Sequence, residues 1–201
     1  MKHLVYHIIS FLLLCLMLSC TYSKKFTHNY YQDNQVTLQS IRQRFIQLYD
    51  QNPFSLELKD KNLSRIGLEI HTDSIKYIYN FQLDEPYLLD TLDKYQFDVK
   101  AISELIDDMQ KAHCTWITNL DYYEKRQKKF LVFISVRDKK LTAFLQPEKY
   151  FTLAFFDQPQ SYDEKGRLLD NEDLTKNRLI NGAIFRKVND SVSYALTGKY
   201  R

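Results

Sequence analysis

The side chains that most often perform catalysis or bind metals are sparse and scattered in this sequence. Beyond the first 20 residues the only cysteine is Cys114, and the histidines are His28, His71 and His113. No HExxH, CxxC or paired-histidine spacing occurs, so the sequence predicts no zinc site. His113 and Cys114 are sequence neighbours, and neighbouring side chains do not readily meet as nucleophile and base on a strand or a helix. A pair of Cys114 and His71, assembled by the fold, is the alternative.

Neither the acidic residues nor the glycines form a recognisable site. Helix-start charges or solvated surface explain the acidic pairs at 84–85, 107–108 and 172–173. The glycines lie far apart, at Gly67, Gly166, Gly182 and Gly198. Phosphate-binding loops need clustered glycines, so Walker, Rossmann and kinase loops are excluded, as is a G-x-S-x-G nucleophile elbow. No cofactor is predicted.

Two charged stretches are the candidates for a partner surface. Residues 124–140 carry a net charge of +5, and residues 157–173 a net charge of −4. If 130–136 is a strand, it holds the two halves of the basic stretch roughly 20 Å apart. The basic stretch begins with aromatic and basic side chains that suit a partner with anionic groups or π-faces, namely Tyr122, Tyr123, Lys125 and Arg126. The alternative is that these residues only close a hairpin.

Hydrophobic periodicity predicts the helices that position these groups. The first spans 37–50, where one face carries Leu38, Ile41, Phe45 and Leu48. A short helix is predicted at 86–94, with proline at its start. A better marked helix begins at the N-cap Asp98 and runs to about residue 112.

Alternating apolar and polar residues predict strands over most of the remaining chain. A hairpin is expected from 65–71 and 75–81, with a turn at 72–73. The other predicted strands lie at 54–58, 114–120, 130–136, 141–146, 149–156, 183–188 and 192–197. Early helices followed by hairpins indicate an α+β fold, a largely antiparallel sheet with two or three helices packed on one face. We predict a single such domain over 36–201.

The N-terminus has the pattern of an export signal. Lys2 and His3 form a short polar start, and an apolar stretch over 4–18 follows, too short for a membrane span. It ends in Leu-Ser-Cys, which resembles the lipobox of bacterial lipoprotein precursors, with Ser19 as the small residue and Cys20 as the cysteine. Cys15 does not fit this motif, because a leucine precedes it.

The resemblance to lipoprotein precursors implies a lipid anchor. It implies removal of residues 1–19 as a signal peptide and acylation of Cys20, which would hold the protein permanently to a membrane. Residues 20–35 then form a flexible, lipidated tether. Thr21 stands where an aspartate retains some lipoproteins in the inner membrane, so the resemblance favours the periplasmic face of the outer membrane.

Composition and motifs leave three hypotheses for the exported domain. The favoured one is a non-enzymatic module that binds another macromolecule, such as an envelope protein. The alternative is a small-ligand or glycan-binding lipoprotein, with a cleft of a few hundred Å³ between sheet and helices. A hydrolase with scattered carboxylates or a cysteine site is the third. The formal net charge of +3 is too small to indicate nucleic-acid binding, and the sequence does not set the oligomeric state.

Overall fold

The computed structural model describes residues 29–124, 126–137 and 149–198. Within them the helices are α1 (29–51), α2 (Pro86–Lys94) and α3 (Val99–Lys111). The strands are β1 (Phe54–Leu58), β2 (Arg65–His71), β3 (Lys76–Gln82), β4 (Cys114–Glu124), β5 (Gln127–Val136), β6 (Tyr150–Phe156), β7 (Leu179–Ile180), β8 (Ala183–Ile184), β9 (Arg186–Asn189) and β10 (Val192–Thr197).

Eight strands form one antiparallel sheet in the order β3-β2-β1-β4-β5-β6-β10-β9, and β7 pairs separately with β8. The predicted α+β fold with a largely antiparallel sheet is therefore confirmed. Because successive side chains of a strand point to opposite faces, the sheet has two distinct surfaces. We call the face that carries Phe54 and Leu56 the inner face, and the face that carries Ser55 and Glu57 the outer face.

The inner face packs against helices through aromatic side chains. The Phe45 ring of α1 lies 5.0 Å from the Phe54 ring, and Phe54 lies 5.3 Å from Phe97, which precedes α3. The predicted apolar stripes of α1 and α3 are buried, comprising Leu38, Ile41, Phe45, Leu48, Ile102, Leu105, Ile106 and Met109. Asp98 is the predicted N-cap of α3, and its Oδ1 accepts a hydrogen bond from the Ala101 amide at 2.9 Å.

The chain divides into two compact units between Gln35 and Val36. Of the first unit only 29–35 is described, and these residues are helical. The sequence predicts a flexible tether here, because residues 21–35 are mostly polar and show no sustained period. Within the helix, the Asn34 side-chain amide donates to the Tyr30 carbonyl at 3.0 Å. The rest of the predicted tether lies outside the described residues.

A second layer covers part of the outer face, and the sequence analysis did not predict it. The chain segment 157–185, which we call the covering segment, places Leu168, Ile180 and Phe185 over the outer side chains of strands β4, β5, β6 and β10. The Phe185 ring is fully buried and lies 5.9 Å from the Phe133 ring of β5. The covering segment does not extend over β1, β2 and β3, and we call that part of the outer face the open half; Lys76 and Ile78 are exposed there, whereas Ser55, Glu57 and Thr118 are buried.

The two edges of the sheet differ. At one edge, the side of β9 that faces away from β10 is bonded to the covering segment. The Lys187 amide donates to the Gly166 carbonyl at 2.8 Å, and Arg186 forms an antiparallel β-bridge with Arg167. At the other edge, β3 has a strand partner only in β2 within the described residues. One edge is therefore closed and the other is free.

The strands differ from the prediction at the β4–β5 hairpin and at 183–188. The β2–β3 hairpin is confirmed, with the Thr72 amide donating to the Ile75 carbonyl at 2.9 Å. The β4–β5 hairpin is longer than predicted, extending to Glu124 and Gln127. The predicted strand 183–188 is divided into β8 and β9, because Phe185 turns into the core between them. The predicted strand 141–146 and turn 138–140 lie outside the described residues.

Candidate functional site

The open half of the outer face is the most organised polar surface among the described residues. Period-two alternation in β1, β2 and β3 sends the apolar side chains inward, so the outward positions collect polar ones. These outward side chains, with their neighbours on β4, are Ser55, Glu57, Glu69, His71, Lys76, Ile78, Trp116 and Thr118. Lys59, just after β1, lies beside them.

A chain of side-chain hydrogen bonds crosses this surface from β4 to β3. The Thr118 and Ser55 hydroxyls lie 2.7 Å apart, and Ser55 lies 3.5 Å from His71 Nε2. His71 Nε2 in turn lies 2.8 Å from Glu69 Oε1, which accepts a hydrogen bond from Lys76 Nζ at 2.9 Å. These contacts join side chains of four adjacent strands.

The electrostatics of the chain centre on Glu69. Burial raises the pKa of this carboxyl, but the hydrogen bonds and positive charge of Lys76 and the contact with His71 outweigh burial. The pKa of Glu69 is therefore lowered from its usual value, and the group is a carboxylate at neutral pH. A stable negative charge at the centre of a partly buried network orients its neighbours.

The Ser55, His71 and Glu69 side chains do not form a hydrolytic triad. In a triad the serine and the acid contact different ring nitrogens, so that histidine can relay a proton between them. Here Ser55 and Glu69 both approach Nε2. The serine is also only 5% exposed and is bonded to Thr118. This geometry supports a structural network and not an activated nucleophile.

Beside this network, Lys59 extends over Gly67. A Cβ atom at position 67 would lie 2.6 Å from Lys59 Cε, so the glycine leaves room for the lysine stem. The ammonium group lies 3.9 Å from Glu57 Oε2, in a carboxylate that is 6% exposed. The remaining depression, bordered by Trp116 and Ile78, holds about 10 Å³, close to the volume of one water molecule. The surface is therefore shallow.

The sequence-predicted partner surface is only partly present as a surface. The Tyr122 ring is 7% exposed, because the Arg178 guanidinium stacks 4.2 Å from its centre and Phe156 packs on it at 5.8 Å. The prediction that Tyr122 faces a partner is therefore wrong. Tyr123, its neighbour on the opposite face of β4, is 65% exposed.

The rest of that predicted surface lies at the tip of the β4–β5 hairpin. Arg126 is exposed and has a φ of 65°, as residues in tight turns do. Lys125 lies outside the described residues. The alternative prediction, that these residues close a hairpin, is confirmed for Arg126.

Acidic side chains of the stretch 157–173 form hydrogen bonds and ion pairs with neighbouring residues of the covering segment. Asp163 accepts hydrogen bonds from the Lys165 and Arg167 amides and from Arg167 Nε, at 3.0, 2.8 and 2.7 Å. Asp173 pairs with Lys176 at 2.9 Å. Throughout the described chain, no three Cys, His, Asp or Glu side chains come together as metal ligands would. The carboxylates of this stretch stabilise turns of the covering segment.

A cleft at the inner face is too small for the ligand that the glycan-binding hypothesis requires. Between α1 and the inner face, a cleft lined by Phe45, Tyr49, Phe130 and Val132 holds about 70 Å³. Pockets for drug-sized ligands hold about 300–1,000 Å³. The observed cleft is therefore well below the size on which the glycan-binding hypothesis depends.

The cysteine of the described residues, Cys114, does not form a second site. Its thiol has no exposed surface, as expected for a small apolar core residue. It pairs with Val136 on the inner side of the sheet, whereas His71 lies on the outer face, so the two do not form a catalytic pair. Cys20 lies outside the described residues. None of the described helices combines the length and the hydrophobicity needed to cross a bilayer.

Comparison with protein-family models, with curated proteins and with solved structures found no match to this chain.

Proposed function

We propose that this chain is a lipid-anchored protein of the bacterial cell envelope whose domain binds another macromolecule and does not catalyse a reaction. One observation carries the binding proposal. The covering segment protects half of the outer face, and the other half carries a hydrogen-bonded polar network beneath a shallow surface, on which Lys59, Lys76 and Ile78 are exposed. Protein partners bind such shallow surfaces, whereas small molecules need concave pockets.

The composition of the open half suits protein recognition. Trp116, the sole tryptophan of the chain, lies where the covered and open halves meet. Tryptophan is enriched among residues that dominate binding energy. Around it lie the paired charges of Glu57 with Lys59 and of Glu69 with Lys76. Charges in fixed positions favour selection among partners more than raw affinity.

Photo-crosslinking in cells tests this binding surface. A photoreactive amino acid in place of Lys59 should give a crosslink to one envelope protein at native expression. The matched control is Lys176, an exposed lysine on the covering segment. Crosslinking to the same proteins from both positions, or from neither, would refute the assigned surface. The exchange Trp116→Ala should weaken the crosslink at position 59 in a protein that remains folded.

The lipid anchor is supported by the lipobox resemblance at Cys20. We propose attachment to the periplasmic face of the outer membrane, since Thr21 replaces the inner-membrane retention residue. A Cys20→Ala protein should leave the membrane fraction, and the native protein should resist external protease in intact cells. A Cys20→Ala protein that sediments with membranes as before would refute the anchor without bearing on the binding surface.

A further inference from the structure

Strand β3 directs hydrogen-bonding groups away from the sheet. The Leu83 amide donates to the Ser64 carbonyl at 3.0 Å, and the β2–β3 register shows that Tyr77, Tyr79 and Phe81 bond to β2. The amide and carbonyl groups of the alternate residues therefore point away from β2, in the plane of the sheet and beyond its edge; we call these backbone groups outward. The alternate residues are Lys76, Ile78, Asn80 and Gln82. The outward amide of Gln82 already donates to Glu85 Oε2 at 3.1 Å.

The outward groups of Lys76, Ile78 and Asn80 have no backbone partner in the described chain. The side chains along this edge are also apolar, with Ile78 62% exposed, Ile75 54% exposed and Tyr77 39% exposed. Native sheets usually protect such edges with charges, bulges or covering loops. Strand β9 has that protection at the opposite edge, so among the described residues β3 is the unprotected edge of the eight-stranded sheet.

We propose that the free edge of β3 pairs with β3 of a second copy of this chain. The two strands run antiparallel around a two-fold axis, with Ile78 opposite the partner's Ile78. The sheets of the two copies then join into one. This interface lies at the sheet edge and shares Lys76 and Ile78 with the border of the open half, but the pairing itself is formed by backbone groups of β3.

The backbone supports this register. With Ile78 opposite the partner's Ile78, Lys76 lies opposite the partner's Asn80, and the converse pair forms on the other side of the axis. Each of these pairs consists of two outward-facing residues, so each exchanges both of its backbone hydrogen bonds. The amide of Gln82, which Glu85 occupies, is not needed. This register therefore uses the backbone amides and carbonyls of Lys76, Ile78 and Asn80, which have no backbone partner within the described chain.

The side chains support the same register. The two exposed isoleucines face each other on the outer face, and Tyr77 faces the partner's Tyr79 on the inner face. Aromatic and apolar cross-strand pairs of this kind are each worth roughly 0.2–1 kcal/mol. Lys76 faces an asparagine and not a second lysine, so no like charges oppose one another. A register shifted to centre on Tyr79 would oppose Ile78 with Asn80 and lose the apolar pair.

Cysteine crosslinking in membranes tests the pairing directly. Opposite Cα atoms of a bonded antiparallel pair lie about 5.5 Å apart, within the range that a disulfide spans. Under mild oxidation, Ile78→Cys should give a species of twice the chain mass. Leu179→Cys is the matched control, since Leu179 is 58% exposed on the covering segment. Cys114 is buried and does not compete.

Charge exchange at the same position tests the two-fold symmetry. Ile78→Lys and Ile78→Glu should each raise the dimer dissociation constant about tenfold or more, which corresponds to about 1.4 kcal/mol. Mixed in equal amounts, the two variants should form a dimer again, because opposite charges then face each other. Light scattering of the detergent-solubilised full chain measures each state, and circular dichroism verifies folding.

Four results would overturn the proposal. They are a wild-type chain that is monomeric at all concentrations, equal crosslinking at positions 78 and 179, dimers that persist in both single variants, and a crosslink from position 78 to a different protein. The last result would mean that β3 accepts a strand from another partner.

Discussion

The covering segment should be an integral part of the core, and Phe185→Ala measures how much it contributes. The Phe185 ring has no exposed surface and lies between the covering segment and the outer side chains of β5. Replacing a buried phenylalanine by alanine costs about 3–5 kcal/mol, more where the cavity cannot collapse. The cavity left by the ring would lie between the sheet, whose bonded strands do not move to fill it, and the Leu168 side chain, which can move into part of it. We therefore expect about 3–4 kcal/mol.

Urea unfolding followed by two probes provides the assay. Far-ultraviolet circular dichroism reports on the helices, and fluorescence reports on Trp116, whose ring lies 5.4 Å from Phe133 beneath the covering segment. Since a typical domain has about 5–15 kcal/mol of stability, the loss should shift the midpoint strongly. Phe185→Ala should also change the emission of the native state, because water gains access to the outer face.

The matched control is Phe45→Ala, which removes an equally buried ring on the inner face. It should lower stability by a similar amount and leave the native emission of Trp116 unchanged. The reasoning fails if Phe185→Ala costs less than about 1 kcal/mol, far below the expectation for a buried ring. It also fails if the two probes of the wild-type protein give separate transitions, since the segment would then unfold independently.

Three further predictions concern local contacts. Burial raises the pKa of Asp60, but hydrogen bonds from two backbone amides and a serine hydroxyl together outweigh it and lower the pKa from 3.8 to about 2. Its contribution is therefore present above about pH 4 and lost as the pH falls toward 2. Asp60→Asn should lower the free energy of unfolding, measured with urea, by about 1 kcal/mol or less at pH 7 and should leave it unchanged near pH 2. An equal loss at both pH values would contradict this. A hydrogen bond with the Tyr79 hydroxyl at 2.8 Å raises the pKa of Tyr95 to about 12, so Tyr79→Phe should bring the titration of Tyr95 in NMR spectra down toward pH 10, and an unchanged titration would refute the coupling. Arg178→Met keeps the stem but removes the cation above Tyr122, and should cost about 1–2 kcal/mol in thermal unfolding; an unchanged melting temperature would mean that packing alone holds the segment.

Much of the sheet and both long apolar stripes follow from the sequence, because their signals are local. In β2, Ile66, Leu68 and Ile70 alternate with polar residues, and the structure buries all three. The stripe of α1 has the 3.6-residue period over several turns. The covering segment has no such period. Its order depends on aspartate-bonded turns and on a few apolar anchors at irregular spacing, so its place on the outer face could not be predicted.

The candidate site was predictable only in part, since its contacts join distant positions. Alternation in β1 and β2 already places Ser55, Glu57, Glu69 and His71 on one face of their strands. It does not show that Thr118, which bonds to Ser55 across 63 positions, lies on the adjacent strand. The error at Tyr122 has the same origin. Its neighbours in sequence are polar and basic, but the residue that covers it, Arg178, belongs to a distant segment.

The difference between the two sheet edges limits how large an assembly can grow. Strands that are free at both edges can add copies without end, as in fibrils. In this chain the contacts of β9 with Gly166 and Arg167 close one edge, so a second copy that joins through its own β3 leaves a closed β9 edge at each end of the joined sheet. Loosening that closed edge would leave each sheet with two edges able to pair, and further copies could then add. The backbone bond between Lys187 and Gly166 therefore limits the growth of such an assembly from the edge opposite the one where pairing begins.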